Sequence, residues 1–147
     1  MDTDKIINSD VLEFSTRAHA GQTRKFTGTP YITHPIAVAS IAKDIVDSDW
    51  IDNSLLEKVA LLHDVLEDTD VTYEELLEVF GGEVAGCVRI LTKIPSETYL
   101  QAILRAKKNP ITRIVKYADN VHNSSDLKPG CLKDKYEMSM YILSDGH

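Results

Sequence analysis

The sequence predicts an all-α fold. Apolar residues recur at spacings of three and four, rarely of two. Helix-starting Ser/Thr–Glu pairs and helix-ending glycines and prolines punctuate the chain. No alternating run is long enough to read as a strand. With 147 residues, of which 43% are hydrophobic, the chain can bury a real core. The expectation is one domain covering residues 1–147, a bundle of roughly seven or eight helices.

Each element has its own signal. Ile7, Val11, Phe14 and Ala18 share one face of a first helix, which Gly21 can end. A polar loop, QTRKFTGTP, leads to Pro35, expected as the first residue of a second helix carrying Ile36, Ala39 and Ala42 to Val46. Ser54 with Glu57 forms a capping box for a helix running through LLHDVLEDTD, residues 61–70. Thr72 with Glu75 forms a second box, and Gly81-Gly82 stops that short helix. Val84, Val88 and Leu91 line the next one. Pro95-Ser96 opens a segment ending near Asn109-Pro110. Ile111, Ile114, Val115 and Ala118 then face one way on a helix running into DNVHN. After Pro129-Gly130, Leu132 to Leu143 reads as the last helix.

Composition narrows the function. A net charge of −7 argues against a general nucleic-acid binder, though not against a small anion held by a local basic patch. Cys87 and Cys131 lie far apart and form no CxxC pair, so neither a thiol zinc site nor a disulfide framework is expected. MDTDKIINSD has neither a basic n-region nor an apolar h-region, and no window approaches a membrane span. A reducing, cytoplasmic setting with no membrane partner is expected, and the oligomeric state is left open.

LLHDVLEDTD gathers His63, Asp64, Glu67 and Asp68 without a lysine or arginine among them. On a continuous helix these four lie opposite Leu61, Leu62, Val65 and Leu66. A solvated amphipathic face explains that spacing but not the composition. Carboxylates three and four residues apart repel by about 0.2–0.5 kcal/mol per pair, and a bound cation would turn the repulsion into ligation. Two other places bear on the choice. His34 stands directly before Pro35, at a fixed helix start, and Asp119 stands one turn before Asn123 on the same face. Two histidines and two aspartates make a mixed nitrogen and oxygen donor set, suited to Mn²⁺, Zn²⁺ or Fe²⁺ rather than to a closed structural zinc.

Four motifs in order, HAGQTRK (19–25), GTPYITHP (28–35), LLHDVLEDT (61–69) and KYADNVHN (116–123), resemble the HD-domain hydrolases of the Rel/SpoT type, and more closely the stand-alone small alarmone hydrolases. The resemblance implies that His34, His63, Asp64 and Asp119 hold one Mn²⁺ per chain. It implies that Glu67 and Asp68 position and deprotonate the attacking water, itself bound to the metal. The implied reaction removes the 3′-pyrophosphate of ppGpp and pppGpp, alarmones of the stringent response, giving GDP or GTP and pyrophosphate. Arg24 and Lys25 are implied to meet this nucleotide, with Lys93 and Asn123 as further substrate contacts. Arg24 and Lys25 belong with Arg17 to a local basic cluster in an acidic chain, and an arginine there can stack on guanine. His19 and His122 are expected to orient or pack.

One departure stands out: Ser124, Ser125 and Asp126 occupy positions where the family often carries an arginine and a threonine. Two other readings accompany the alarmone hydrolase: an HD-type phosphohydrolase of another nucleotide or phosphorylated dinucleotide, and a nucleotide sensor without turnover. The presence of Glu67 and Asp68 beside all four candidate ligands argues against the sensor, since binding alone does not need a water-activating pair.

Overall fold

The computed structural model describes residues 3–46 and 49–144, with side chains of the first helix described from Asp10 onward. The helices are α1 (Thr3–Ala18), α2 (Thr33–Ile45), α3 (Asn53–Leu62), α4 (Val65–Asp68), α5 (Tyr73–Phe80), α6 (Gly82–Leu91), α7 (Tyr99–Lys107), α8 (Pro110–Ser125) and α9 (Cys131–Leu143). Eight of them have eight residues or more, and α4 is a single turn. The fold is all-α. Among the described residues the only strand-like feature is an isolated antiparallel bridge between Thr23 and Pro30.

The core follows from the periodicity. Val38 and Ala42 of α2, Leu56, Val59 and Leu62 of α3, Val84 and Val88 of α6, and Val115 and Ala118 of α8 pack into one cluster. Burying each large aliphatic side chain contributes about 1.5–3 kcal/mol. Val11 joins the cluster from α1, with Phe14 and Ala18 packed against it, while the Ile7 side chain lies outside the described residues. Phe14 meets Phe80 of α5 edge-on, with ring centroids 5.1 Å apart. In contrast, Trp50, in the turn before α3, is 80% exposed.

Several helix starts differ from expectation. Pro35 is the third residue of α2, because Thr33 and His34 already turn back onto the carbonyls of Pro30 and Tyr31. The ring is tolerated there because a first-turn residue needs no intrahelical donor. The cap of α3 is Asp52, whose Oδ1 accepts from the Leu55 N–H at 3.1 Å, rather than Ser54. Thr72 does cap α5, accepting from Glu75 N–H at 3.2 Å, and Gly81 ends it at φ 90°. Helix α7 opens at Tyr99, not at Pro95-Ser96, on a reciprocal box between Thr98 and Gln101. Arg105 holds the preceding turn, donating to Glu97 at 2.7 Å and to the Thr92 carbonyl at 3.0 Å.

The helix expected through residues 61–70 is broken. Ser15 of α1 donates its hydroxyl to the Leu61 carbonyl at 2.7 Å, and the His63 ring donates to the Ala60 carbonyl at 2.6 Å. These side chains occupy carbonyls that the next helical turn would use. The helix therefore stops at Leu62, and a new turn starts at Val65. His63 and Asp64 occupy the joint.

Candidate metal centre

The site sits where the start of α2, the α3–α4 joint and the middle of α8 meet. His34 Nε2 lies 2.8 Å from Asp119 Oδ1 and 3.7 Å from Asp64 Oδ2. His63 Nε2 lies 3.0 Å from Asp64 Oδ2 and 3.5 Å from Asp119 Oδ1. Three elements thus aim four donors at one point, and His34, His63 and Asp119 are buried. Both contacts of His63 Nε2 are ion-pair contacts, and this buried nitrogen has no hydrogen-bond partner. An orphaned nitrogen facing two carboxylates is what a cation ligand looks like before the cation arrives.

The outer nitrogens are fixed. His63 donates from Nδ1 to Ala60, which directs Nε2 inward. His34 Nδ1 lies 2.7 Å from His122 Nδ1. Partial burial, then His34 and Arg24, hold the His122 pKa below its usual value. His34, His63 and Asp119 form a buried group able to hold a divalent metal ion.

Electrostatics supports a cation at this point. Burial disfavours charge on His63, yet the Asp64 and Asp119 carboxylates outweigh it and raise its pKa well above the usual value. Burial likewise works against the Asp64 carboxylate, and the His63 imidazolium reverses it, bringing the pKa down to about 2. Asp119 is also held low, against burial, chiefly by the Lys116 ammonium at 3.0 Å. A proton on His63 thus occupies the place that a metal would take.

Around this centre lie the other candidates. Glu67 Oε1 accepts the Lys93 backbone N–H at 2.8 Å. The Asp68 pKa is raised by partial desolvation and then by the like charges of Asp64 and Glu67. Asp64, Glu67 and Asp68 form a second carboxylate group beside the first. Arg24 reaches across 99 positions of sequence so that both terminal nitrogens lie 3.2 Å from Asn123 Oδ1. Asn123 in turn donates to Asp119 Oδ1 at 3.0 Å. The loop that carries Arg24 is a tight hairpin: Arg24 N–H donates to Thr29 at 2.7 Å, and Gly28 turns it at φ 72°. Lys25 lies over Phe26, and Arg17 pairs with Glu13 on the exposed face of α1. His19 bonds Gln22 at 2.9 Å and packs against Tyr31.

Three residues escaped the sequence reading. Tyr31 donates its hydroxyl to Asp64 Oδ2 at 2.6 Å, and burial followed by the Asp64 charge raises its pKa. Lys116 lies one turn before Asp119, a spacing that could have revealed it. Lys135 comes from α9 and has no sequence signal. Lys93, Lys116 and Lys135 line a cavity of about 210 Å³ with Tyr99 and Glu67. A larger one of about 600 Å³, around Trp50 and Tyr117, contains none of the candidate residues.

Comparison with known proteins places this geometry. The HD domain family matches residues 11–123. The chain belongs to the HD-domain family, and within it to the Rel/SpoT type. This HD-domain protein is 39% identical to a guanosine-3′,5′-bis(diphosphate) 3′-pyrophosphohydrolase of Danio rerio, over 80% of this chain and 67% of that protein. It is 40% identical to the protein of that activity name from Aquifex aeolicus, over 78% of this chain but 17% of the relative. The chain therefore spans under a fifth of such longer relatives. Among solved structures, a metazoan orthologue of SpoT, described as hydrolysing ppGpp, superposes with a TM-score of 0.74 at 27% identity, covering 97% of this chain and 84% of its own. No helix among the described residues is long and apolar enough to cross a membrane.

Proposed function

We propose that this HD-domain protein hydrolyses the 3′-pyrophosphate of guanosine-3′,5′-bis(diphosphate) and its pentaphosphate, giving GDP or GTP and pyrophosphate. One Mn²⁺ per chain would be held by His34, His63, Asp64 and Asp119. The observation carrying this reading is the convergence of two inward-turned imidazoles and two carboxylates, with a buried ring nitrogen that has no hydrogen-bond partner. The activity named for the relatives from Danio rerio and Aquifex aeolicus supports it. A divalent ion there supplies a Lewis acid that makes water more acidic and withdraws charge from the phosphoryl oxygens.

The chain's own residues supply the rest. Asp68, with its raised pKa, accepts the proton of the attacking water, and Glu67, held by the Lys93 N–H, orients that water. Water oxygen adds to the phosphorus attached to the ribose 3′ oxygen, that P–O bond breaks, and the 3′ oxygen takes a proton from solvent while Asp68 returns its own to solvent. Lys93, Lys116 and Lys135 face the phosphates. Arg24 and Asn123 meet the guanine, and Lys25 approaches from the tip of the same hairpin. Residues 1–147 act as a single domain in the cytoplasm on a small nucleotide, not on a nucleic-acid polymer. The test is a product assay across guanine and adenine nucleotides with Mn²⁺ present. Pyrophosphate from the guanine 3′ position is expected. Equal rates on both bases, or inorganic phosphate as first product, would favour a general HD-type nucleotide hydrolase, and binding without turnover would favour a sensor.

A further inference from the structure

We propose that Tyr31 is a positioning residue that holds the Asp64 carboxylate in its ligating orientation. The inference rests on the reading of Asp64 as a metal ligand. A phenol on the wall of a helical bundle usually sends its hydroxyl to a backbone carbonyl or to water. Tyr31 sends it to a carboxylate, at 2.6 Å from Asp64 Oδ2, the short range of a charge-assisted bond. The second oxygen within reach is Asp68 Oδ2, at 3.4 Å. One hydroxyl proton cannot serve both fully, so Asp64 takes the short bond and Asp68 keeps only the long, weak one.

The acceptor is the same Asp64 oxygen that faces both imidazoles, 3.0 Å from His63 Nε2 and 3.7 Å from His34 Nε2. With one lone pair of Oδ2 taken by Tyr31, the other is directed into the centre. The phenol itself is braced. Its ring lies 4.7 Å from the His19 ring and 5.8 Å edge-on from that of His34. Its backbone N–H donates to Gln22 at 2.9 Å, which closes the hairpin. Asp64, by contrast, lies at the joint between two helices, where the helical backbone does not fix its direction. A side chain at such a joint needs an outside partner to hold it.

Tyr31→Phe keeps the ring and removes only the hydroxyl. Isothermal titration with Mn²⁺ should show a dissociation constant raised about 10-fold or more. The metal-free melting temperature should stay close to the parent's. At saturating Mn²⁺ and with guanosine-3′,5′-bis(diphosphate), kcat should fall while KM stays near the parent value. Tyr117→Phe, which alters a ring lining the separate cavity around Trp50, serves as the control and should bind Mn²⁺ normally. A parent-like Mn²⁺ dissociation constant in Tyr31→Phe would overturn the proposal. So would a large drop in metal-free melting temperature, which would make the hydroxyl a fold contact. A parent protein that binds Mn²⁺ but releases no pyrophosphate would sink the proposed reaction alone, because the Mn²⁺ comparison still decides the role of Tyr31.

Discussion

The imidazole of His63 donates to the carbonyl oxygen of Ala60 at 2.6 Å, so a backbone group three residues earlier decides which way the inner nitrogen points. That arrangement makes the centre sensitive to loss of a single ligand. His63→Ala and Asp64→Ala should each lose both the bound ion and activity, as measured by elemental analysis and product release. Full ion occupancy in either variant would remove that residue from the ligand set. Parent protein should melt higher with Mn²⁺ than without, by the equivalent of about 2.7 kcal/mol at a hundredfold excess over the dissociation constant.

The raised pKa of His63 gives this stabilisation a pH dependence with a definite sign. A histidine whose folded-state pKa exceeds the unfolded 6.5 adds stability that is full below 6.5 and is lost as pH rises through the folded value. The melting temperature of metal-free protein should therefore fall as pH climbs above about 6.5. Over the same window the proton competes with Mn²⁺ less and less, so the increment the ion gives should grow. Scanning calorimetry with and without Mn²⁺ from pH 6 to 9 reads both trends, and parallel curves would contradict the assignment.

Glu67→Gln and Asp68→Asn preserve shape while weakening the proton acceptor. Ion content should stay near that of the parent, and turnover should drop by ~10²–10⁴-fold in the variant that removes the base. Asp68→Asn should be the more severe, because the Glu67 oxygen is already engaged by the Lys93 N–H. Parent rates in both would show that neither carboxylate takes the proton.

Arg24 offers a flat guanidinium whose two terminal nitrogens share Asn123 Oδ1. Arg24→Ala removes the charge and the plane, whereas Arg24→Lys keeps only the charge. If the plane stacks on guanine, both should weaken apparent binding by about 1–2 kcal/mol, with kcat/KM falling more than kcat. If only charge matters, Arg24→Lys should be nearly normal and the Arg24→Ala defect should shrink in added salt. Asn123→Ala, run alongside, shows how much of the effect comes from the lost bond between the two.

Periodicity revealed the helices because it is local: Val11, Ala39, Ala42, Val84, Val88 and Val115 recur at helical spacing and are buried. Caps were less legible, since Asp52 and Ser54 both offer an oxygen near the start of α3 and only the backbone path decides between them. The break after Leu62 was hidden, because its causes include a serine 46 positions away. The same distinction holds at the centre. His34, His63, Asp64 and Asp119 stand in recognisable strings, and the fold gathers them. Lys135 enters from α9 only through packing, and Tyr31 points at Asp64 only because the hairpin closes, so neither direction was written in nearby residues.

Trp50 is the only tryptophan in the chain, and its indole is 80% exposed. Its emission in the native protein should already resemble that of an indole in water, and unfolding will change it little. Intrinsic fluorescence is thus a poor gauge of this molecule's integrity, and a flat trace would be mistaken for resistance to denaturant. Helical circular dichroism reports on the cooperative core instead. The same exposure makes Trp50 a quenchable beacon for anything that settles near Tyr117, remote from the reaction it would otherwise be asked to report.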